Sequence, residues 1–484
     1  MKKITAVLVL LFIVLSLFAC EYAEEIEHSS ALPQSNDPYE DVNSELPDYS
    51  IPDDVSEPEI DLGIFTVACN ANGVFYQDEN VPGTISAAIE ERNAFIKEKY
   101  NVSVSSKTVA DKKIAENIKN SLESDIPYAD LLAYPADVSV GLMLSGLLGD
   151  FNSLSGFDIN APYFENINAK TLATNSTLYL IPDETALVYD DEYVLFYNRK
   201  LLEGKTSENP ETLAAQGKWT WDKFLEIAKS SATAFGKSAA DLKSDIFGYG
   251  AYYLETVYSM SMWTSTGNRV VDYTYKNPVD IAMSSDKMVE ITNNLNKALN
   301  TRGKYPNAGN DASEVFKSGR MVFFCNKLQY FYGLRNGTVA GAEYGVLPMP
   351  KYNESQDRYY CLVENDARVL SIPKNLTSAS ENLQKRDAAV ISALCATGSK
   401  TIKDAYINSF VALYLFDNSE TLMIKTITDS VAFDFTYVFG SKISEIKRCP
   451  LAAITDFLDF GSNVGTTISR YKGNFDKYCA EHFK

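Results

Sequence analysis

Apolar and polar residues alternate with two different periods beyond the first sixty positions, and each change of period predicts a new element. The continuous apolar runs at 61–69 and 130–134 predict buried strands, and the alternating stretch at 102–109 predicts another. Residues 84–100 and 111–124 instead carry apolar side chains at helical spacing, with charged side chains on the opposite face. Strands that alternate with helices in this way predict an α/β fold with a parallel sheet.

Two loops of this predicted sheet are candidate binding loops. Ligands of such sheets bind beyond the carboxyl ends of the strands. The loop that starts at Asn70 and the loop that contains Asp137 each follow a predicted strand. We therefore expect Asn70 and Asp137 to share one edge of the sheet and to bind the ligand.

The first twenty residues have the layout of a secretory signal. Two lysines precede an apolar run at 4–18, which is too short to span a membrane comfortably. The sequence Leu-Phe-Ala-Cys at 17–20 resembles a bacterial lipobox. This resemblance implies that residues 1–19 are a lipoprotein signal peptide and that Cys20 is lipidated, so that it anchors the mature chain. The alternative is an ordinary N-terminal membrane anchor with an unrelated cysteine.

Residues 20–60 are too acidic to bury a core. After Cys20 they hold thirteen Asp or Glu, five prolines and no Lys or Arg. This composition predicts an extended, acidic, proline-containing tether. The net charge of the whole chain is −20. Because this charge repels phosphate backbones, we expect no nucleic-acid partner.

Histidine and cysteine are poorly placed for catalysis or metal binding. The two histidines are His28, in the tether, and His482, next to the C-terminus. Their positions argue against a Ser-His-Asp triad, a Cys-His pair and a histidine zinc site, and no glycine-rich nucleotide motif occurs. We expect neither a metal nor a cofactor. The remaining cysteines are widely spaced, which favours buried free thiols and leaves their redox state open: Cys69, Cys325, Cys361, Cys395, Cys449 and Cys479.

The order of several motifs resembles the extracellular solute-binding proteins of ABC importers, the group that includes maltose-binding protein. These motifs are ERNAFIKEKYNV at 91–102, GLLGD at 146–150, YVLFYNRKLL at 193–202, WTWDKF at 219–224, FKSGR at 316–320 and YGVLPMP at 344–350. The resemblance implies a two-lobed α/β fold of the periplasmic-binding-protein type II, with discontinuous lobes joined by a hinge. It implies a first lobe of residues 61–188 and 358–408, and a second lobe of residues 193–350 and 410–484. It also implies binding without turnover, and we expect a monomer.

Two acidic segments lie between the lobes that the resemblance implies. They are Asp190-Asp191-Glu192 and Glu364-Asn365-Asp366. We predict that Asp190, Asp191, Glu364 and Asp366 face the cleft and accept hydrogen bonds from ligand hydroxyl groups. Solvated loop acids are an equally simple interpretation of each residue.

Four further residues are candidate ligand contacts. Asn326 and Gln329 follow an apolar strand where the family's second lobe presents a contact residue, although the tryptophan usual there is absent. Trp263 lies in the polar stretch 261–267, which predicts a loop whose indole ring stacks on the ligand, with core packing as the alternative. Tyr437 matches a family segment that brings an aromatic ring to the cleft, with a buried element as the alternative.

These features predict the lipid-anchored substrate-binding subunit of an ABC importer on the extracellular face of a Gram-positive cell membrane. Its ligand would be a sugar or oligosaccharide, and its partners would be the permease subunits. A binding protein for a peptide or amino acid is the alternative within the same fold, with Arg368, Glu364 and Asp366 as a charged clamp. A lipid-anchored glycoside hydrolase and a surface adhesion protein are alternatives of other classes.

Overall fold

The structure is a computed structural model, and part of the chain is described in it. Contacts group the chain from residue 45 onward into one compact unit. The predicted signal peptide and Cys20 lie outside the described residues. The described residues are 45–50, 61–71, 74–75, 82–124, 126–164, 169–174, 177–237, 240–252, 255–269, 271–272, 280–281, 286–299, 303–306, 309–336, 344–414, 418–455 and 464–483.

Strands and helices alternate through most of this unit. The strands are β1 (Ile64–Cys69), β2 (Ser103–Thr108), β3 (Leu131–Pro135), β4 (Leu148–Gly149), β5 (Tyr193–Asn198), β6 (Phe247–Ala251), β7 (Val271–Asp272), β8 (Asp280–Ile281), β9 (Met321–Lys327), β10 (Tyr344–Leu347), β11 (Cys361–Leu362), β12 (Arg368–Pro373) and β13 (Val431–Ala432).

The α-helices follow the same order along the chain. They are α1 (Gly83–Tyr100), α2 (Asp111–Ser124), α3 (Ala136–Leu144), α4 (Arg199–Leu202), α5 (Pro210–Ala215), α6 (Trp221–Ser231), α7 (Glu255–Ser265), α8 (Asp286–Leu299), α9 (Asn310–Lys317), α10 (Tyr330–Asn336), α11 (Glu381–Thr397), α12 (Lys403–Tyr414), α13 (Asn418–Thr428), α14 (Phe435–Gly440), α15 (Ser444–Ile446) and α16 (Val464–His482).

The first sheet has the strand order β2-β1-β3-β12-β4. β1 pairs in parallel with β2 and β3, with Val67 opposite Leu131. β12 enters antiparallel beside β3, with Leu370 opposite Ala133. All five residues of β3 are buried, as expected where helices cover both faces of a parallel sheet. The parallel α/β prediction is confirmed, and β12 shows that this lobe is built from two separate stretches of chain.

The second sheet has the strand order β10-β5-β9-β6. β5 runs antiparallel to β10 and β9, whereas β6 runs parallel to β9. The apolar run at the start of β9 is buried, and α9 and α6 pack against strands of this sheet. The carboxyl ends of β6 and β9 therefore meet at one edge of the sheet, next to the start of β5.

Two crossovers connect the sheets side by side. The first runs through a 3-10 turn at Tyr189–Asp191 into β5. The second runs from β10 to β12, and it pairs with the first through an isolated bridge between Glu192 and Val363. β11 within the second crossover pairs in parallel with β13. The two inter-lobe segments are therefore hydrogen-bonded to each other.

The C-terminal elements contact both lobes. α13 packs against α5 and β10 of the second lobe, whereas α14 packs against α3 of the first. The assignment of residues 410–484 to the second lobe stays a prediction.

The end of the predicted tether lies against the first lobe. Leu46 is buried, the Tyr100 hydroxyl donates to the Pro47 carbonyl at 2.9 Å, and the Tyr49 ring meets the Tyr100 ring edge-on. Residues 45–50 therefore depart from the extended tether that the composition predicts. The physical reason is local, because Leu46 and Tyr49 supply apolar surface that the neighbouring acidic residues do not.

Candidate functional site

The end of β9, the start of β5 and the second crossover bring most of the predicted site residues together. Seven of them lie close together. Each takes part in a hydrogen bond of this region, either itself or through the residue next to it in the chain. These residues are Asp190, Asp191, Asn326, Gln329, Glu364, Asp366 and Tyr437. We call this group the cleft cluster.

Lys327 lies at the centre of the cleft cluster. Its Nζ donates to Asp191 Oδ1 at 3.1 Å and to Asp366 Oδ2 at 2.8 Å. Burial, and then the charge of Asp366, raise the pKa of Asp191 to about 6, against the opposing charge of Lys327. The Lys327 ammonium group therefore holds together two carboxylates that would otherwise repel each other.

Glu364 accepts hydrogen bonds from β5, from α14 and from its own crossover. The hydroxyl groups of Tyr193 and Tyr437 donate to its two carboxylate oxygens, and the backbone N–H of Asn365 donates at 2.8 Å. Burial, and then Glu364, raise the pKa of Tyr193 well above its ordinary range. The Tyr193 phenol therefore stays protonated and acts as a donor. The predicted aromatic at Tyr437 thus belongs to the cluster, but it is a buried residue of α14.

Asp190 is held in a similar way by two tyrosines. The hydroxyl groups of Tyr332 and Tyr406 each donate to Asp190 Oδ1 at 2.7 Å. Burial raises the pKa of Asp190, and these two hydrogen bonds oppose the shift. Because Tyr332 lies on α10 and Tyr406 on α12, Asp190 joins elements of the two lobes.

Asn326 and Gln329 flank Lys327 and have different surroundings. Asn326 is buried and its Oδ1 accepts from the backbone N–H of Lys327 at 2.8 Å. The Gln329 amide lies 3.4 Å from Asp191 Oδ1. Side chains alternate along a strand, so the position next to Asn326, and not Asn326 itself, reaches the two carboxylates.

Asn70 and Asp137 lie on the first-lobe edge of the same region. Asn70 Oδ1 accepts from Arg368 Nε at 2.8 Å, and Asp137 pairs with Lys442 at 3.0 Å. The backbone N–H of Asp137 also donates to the Asn365 carbonyl. The two positions therefore do share one edge, but Asp137 lies in the first turn of α3 and not in the predicted loop. Arg368, the suggested clamp, is bound to Asn70.

Trp263 does not lie in a loop. It belongs to α7 and its side chain is 0% exposed. Its indole N–H has no hydrogen-bond partner among the described residues. The predicted loop is wrong because residues 258–265 form a helix that is buried on every side, its serines included. The core-packing alternative describes Trp263 in this structure.

Sequence reasoning missed Lys327, Tyr193, Tyr332 and Tyr406. A signal existed for Lys327, because it stands between two predicted contacts at the end of a strand. Tyr193 had a weaker signal as the first residue after an acidic segment. Tyr332 and Tyr406 had none, since only the packing of α10 and α12 brings them to Asp190.

The cleft cluster offers hydrogen-bond donors and acceptors. In the described part of the chain, no group of three or more His, Cys, Asp or Glu residues is arranged to hold a metal ion. Asp366 lies on the solvent-exposed side of the cluster, with 59% of its side chain exposed. Such an arrangement suits recognition of hydroxyl and amide groups.

A family model for bacterial extracellular solute-binding proteins matches residues 92–381, which is more than half of the chain. The chain belongs to this family. No curated protein matches the sequence of this solute-binding protein. No helix among its described residues combines the length and apolarity that a membrane crossing requires.

Solved structures show the same fold. The cyclic α-maltosyl-1,6-maltose binding protein from Arthrobacter globiformis matches with a TM-score of 0.54 and 12% identity, covering 86% of this chain and 98% of that chain. The sugar-binding protein MalE from Xanthomonas citri matches with a TM-score of 0.52 and 12% identity, over the same shares of 86% and 98%. The two-lobed periplasmic-binding-protein-like fold of this solute-binding protein is thereby confirmed.

Proposed function

We propose that this solute-binding protein is the lipid-anchored substrate-binding subunit of an ABC importer and that it binds a sugar or oligosaccharide at the cleft cluster. Family membership supports the binding role. The named ligands of the two structural neighbours are carbohydrates, which supports the ligand class. Permease subunits would be its partners at the extracellular face of the membrane.

The observation that carries this proposal is the position and chemistry of the cleft cluster. It lies where strands of the second sheet end and both crossovers meet, which is where sheets of this kind bind ligands. Its exposed carboxylate, Asp366, and the neighbouring Gln329 amide can accept from and donate to hydroxyl groups. The buried phenol groups of Tyr193 and Tyr437 would hold Glu364 in place behind these groups.

Within this proposal the predicted residues divide into two roles. Asp366, Gln329, Asn70 and Asp137 are not buried and would contact the ligand or rim the cleft. The others would position those groups or tie the crossovers: Asp190, Asp191, Asn326, Glu364, Tyr437 and, from the core, Trp263. Closure would move the lobes about the two crossovers.

The first experiment is a thermal-shift screen of residues 21–484 with maltooligosaccharides, monosaccharides, amino acids and short peptides. A ligand at 100 times its dissociation constant stabilises by about 2.7 kcal/mol, which raises the melting temperature by roughly a few degrees. We expect a response to sugars. A response to peptides alone would keep the fold and replace the ligand class, and no response to any compound would contradict the proposal.

The site is tested by Asp366→Asn, with Glu354→Gln as the matched control, since Glu354 is an exposed acid of the same crossover. A ligand that donates to Asp366 should bind about tenfold more weakly to the variant, as expected for the loss of a charge-assisted hydrogen bond. Equal affinities measured by isothermal titration would remove Asp366 from the site. The same samples should release no new reducing ends from the sugar.

Anchoring is tested by Cys20→Ser in the full chain. We expect the wild type in the membrane fraction with an incorporated radiolabelled fatty acid, and we expect the variant to incorporate none. Equal labelling of both chains would contradict lipidation at Cys20.

A further inference from the structure

We propose that Lys327 determines the ligand class of the cleft by occupying a built-in ammonium site between Asp191 and Asp366. The ligand must then be uncharged at this position, and amines, amino acids and peptide N-termini are rejected. This inference rests on the proposed function, because it assumes that the cleft cluster is the ligand site.

The geometry is that of a bound primary ammonium ion. Lys327 comes from β9 of the second lobe, Asp191 from the first crossover and Asp366 from the second. The Lys327 side chain is 12% exposed, against 18% for Asp191 and 59% for Asp366. The ammonium group is therefore largely enclosed, and its carboxylate partners reach it from separate segments at 3.1 Å and 2.8 Å.

The charges explain why this position needs a cation. Two neighbouring carboxylates, one of them largely buried, repel each other and favour protonation. One ammonium group lowers the charge of the pair from −2 to −1, and its three donors leave donor capacity for a ligand. A ligand amine would have to displace a tethered one, whose effective concentration is high.

The other acids of the cleft cluster already accept hydrogen bonds from protein groups and offer no second site for a ligand ammonium group. Glu364 already accepts from two tyrosines and a backbone N–H. Asp190 accepts from two further tyrosines. A neutral hydroxyl group can still use the exposed oxygen of Asp366, whereas a second ammonium group would meet Lys327.

Chemical rescue tests this proposal directly. Lys327→Ala removes the ammonium group and leaves room for a small alkylammonium ion. The control is Lys317→Ala, which removes an exposed lysine that pairs with the exposed Glu314. Melting temperatures of residues 21–484 are measured for the wild type and both variants with ethylammonium, n-butylammonium and 1,4-diaminobutane. Tetramethylammonium at equal ionic strength controls for charge without N–H donors.

We expect a saturable rise of about 1–3 °C for Lys327→Ala with the primary amines and none with tetramethylammonium. The wild type and Lys317→Ala should show no such rise. Equal responses of all three proteins would overturn the proposal, and so would stabilisation of the wild type by 1,4-diaminobutane.

A variant that fails to fold still gives an answer. In that case the yield of soluble Lys327→Ala on refolding is compared with and without n-butylammonium, and Lys327→Gln serves as a second neutral variant. Recovery by primary amines supports the ammonium site, and no recovery in either variant contradicts it. Sugar binding of the wild type is measured separately. A sugar response without amine rescue would remove only the role of Lys327, whereas a peptide response of the wild type would overturn both proposals.

Discussion

One cation lies between two carboxylates at two places, beyond opposite edges of the first sheet, and the cation differs between them. At the cleft the cation is Lys327, between Asp191 and Asp366. At the other edge it is Arg386, whose Nε donates to Asp387 at 2.6 Å and whose Nη2 donates to Asp130 at 2.5 Å. Arg386 and Asp387 are both 0% exposed. The cleft group is open on one side, and the Arg386 group is sealed.

The cation type fits each setting. The planar guanidinium of Arg386 also donates to the backbone carbonyl of Ile64 at 2.6 Å, and Asp130 accepts from the backbone N–H of Thr66 at 2.6 Å. These fixed bonds tie α11 to the start of β1 and suit a permanent scaffold. Lysine offers a compact charge on a flexible stem, which suits the ligand site between moving lobes that we propose.

The largest effect is expected when the sealed group loses its cation. Arg386→Met leaves two buried carboxylates without a partner and should lower the free energy of unfolding by about 3–5 kcal/mol. Urea denaturation measures this loss. The exposed Arg470 provides the control Arg470→Met, which should change stability little. A loss of under about 1 kcal/mol for Arg386→Met would show that the two groups do not differ as argued.

Glu192 shows what burial does to a carboxylate that no cation contacts among the described residues. Glu192 lies in the first crossover, is 0% exposed, and neither carboxylate oxygen has a hydrogen-bond partner among the described residues. Burial raises its pKa well above the ordinary 4.5, while the charges of Lys403 and Arg358 oppose the shift and those of Glu184 and Asp429 add to it.

Folding therefore takes up a proton at Glu192 once the pH exceeds about 4.5, the pKa expected in the unfolded chain. Stability should fall by about 1.4 kcal/mol per pH unit above this value until the folded pKa is reached. Glu192→Gln should remove this slope and be more stable at neutral pH. Urea denaturation at several pH values tests this, with Glu203→Gln at an exposed position as the control. Parallel pH curves for the wild type and Glu192→Gln would contradict the prediction.

Residues 45–50 lie near the buried Arg386 group, and their contribution to stability can be tested. Tyr49 lies close enough to Arg386 and Asp387 for their charges to act on its pKa, which burial raises. Leu46→Ala should loosen this segment and lower the free energy of unfolding by about 2 kcal/mol. Leu242→Ala, at an exposed leucine, is the control. Equal stabilities in urea would show that the segment is not held against the lobe.

The smallest effect on stability is expected at the cleft. Lys327→Met should lower the free energy of unfolding by about 1 kcal/mol at neutral pH, because the group is partly exposed. Burial raises the pKa of Asp191 to about 6, so the folded protein binds a proton there as the pH falls through about 6, and Asp191 is largely uncharged between about pH 4 and pH 6. The difference between wild type and variant should therefore shrink at about pH 5. A difference that grows on acidification would contradict this assignment.

Much of the fold could be predicted because its signals are local. The apolar runs and helical faces of residues 61–134 gave the strands and helices of the first lobe within a few positions. The same reasoning failed at Trp263, because Ser and Thr neighbours look polar in sequence yet bury well when they lie on a packed helix. It also failed at residues 45–50, where two apolar side chains outweigh a prevailing acidic composition.

The candidate site was predicted at the level of segments. Asp190, Asp191, Glu364 and Asp366 lie in the acidic stretches that were expected between the lobes, and the structure brings these stretches together. Their partners could not be predicted, because a carboxylate takes whichever donor the fold brings near it, and four tyrosines and one lysine fill that role.

The sequence by itself determined the alternation of strands and helices, the acidic N-terminal region and the scarcity of histidine, because each depends on residue type and on spacing over a few positions. Only the tertiary structure decided which charges meet. Lys327 pairs with Asp191 across 136 positions, and Arg386 pairs with Asp130 across 256. The physical reason is that hydrogen bonds and ion pairs act over a few ångströms in space. Contacts that distant in sequence depend on how the two sheets and their crossovers pack.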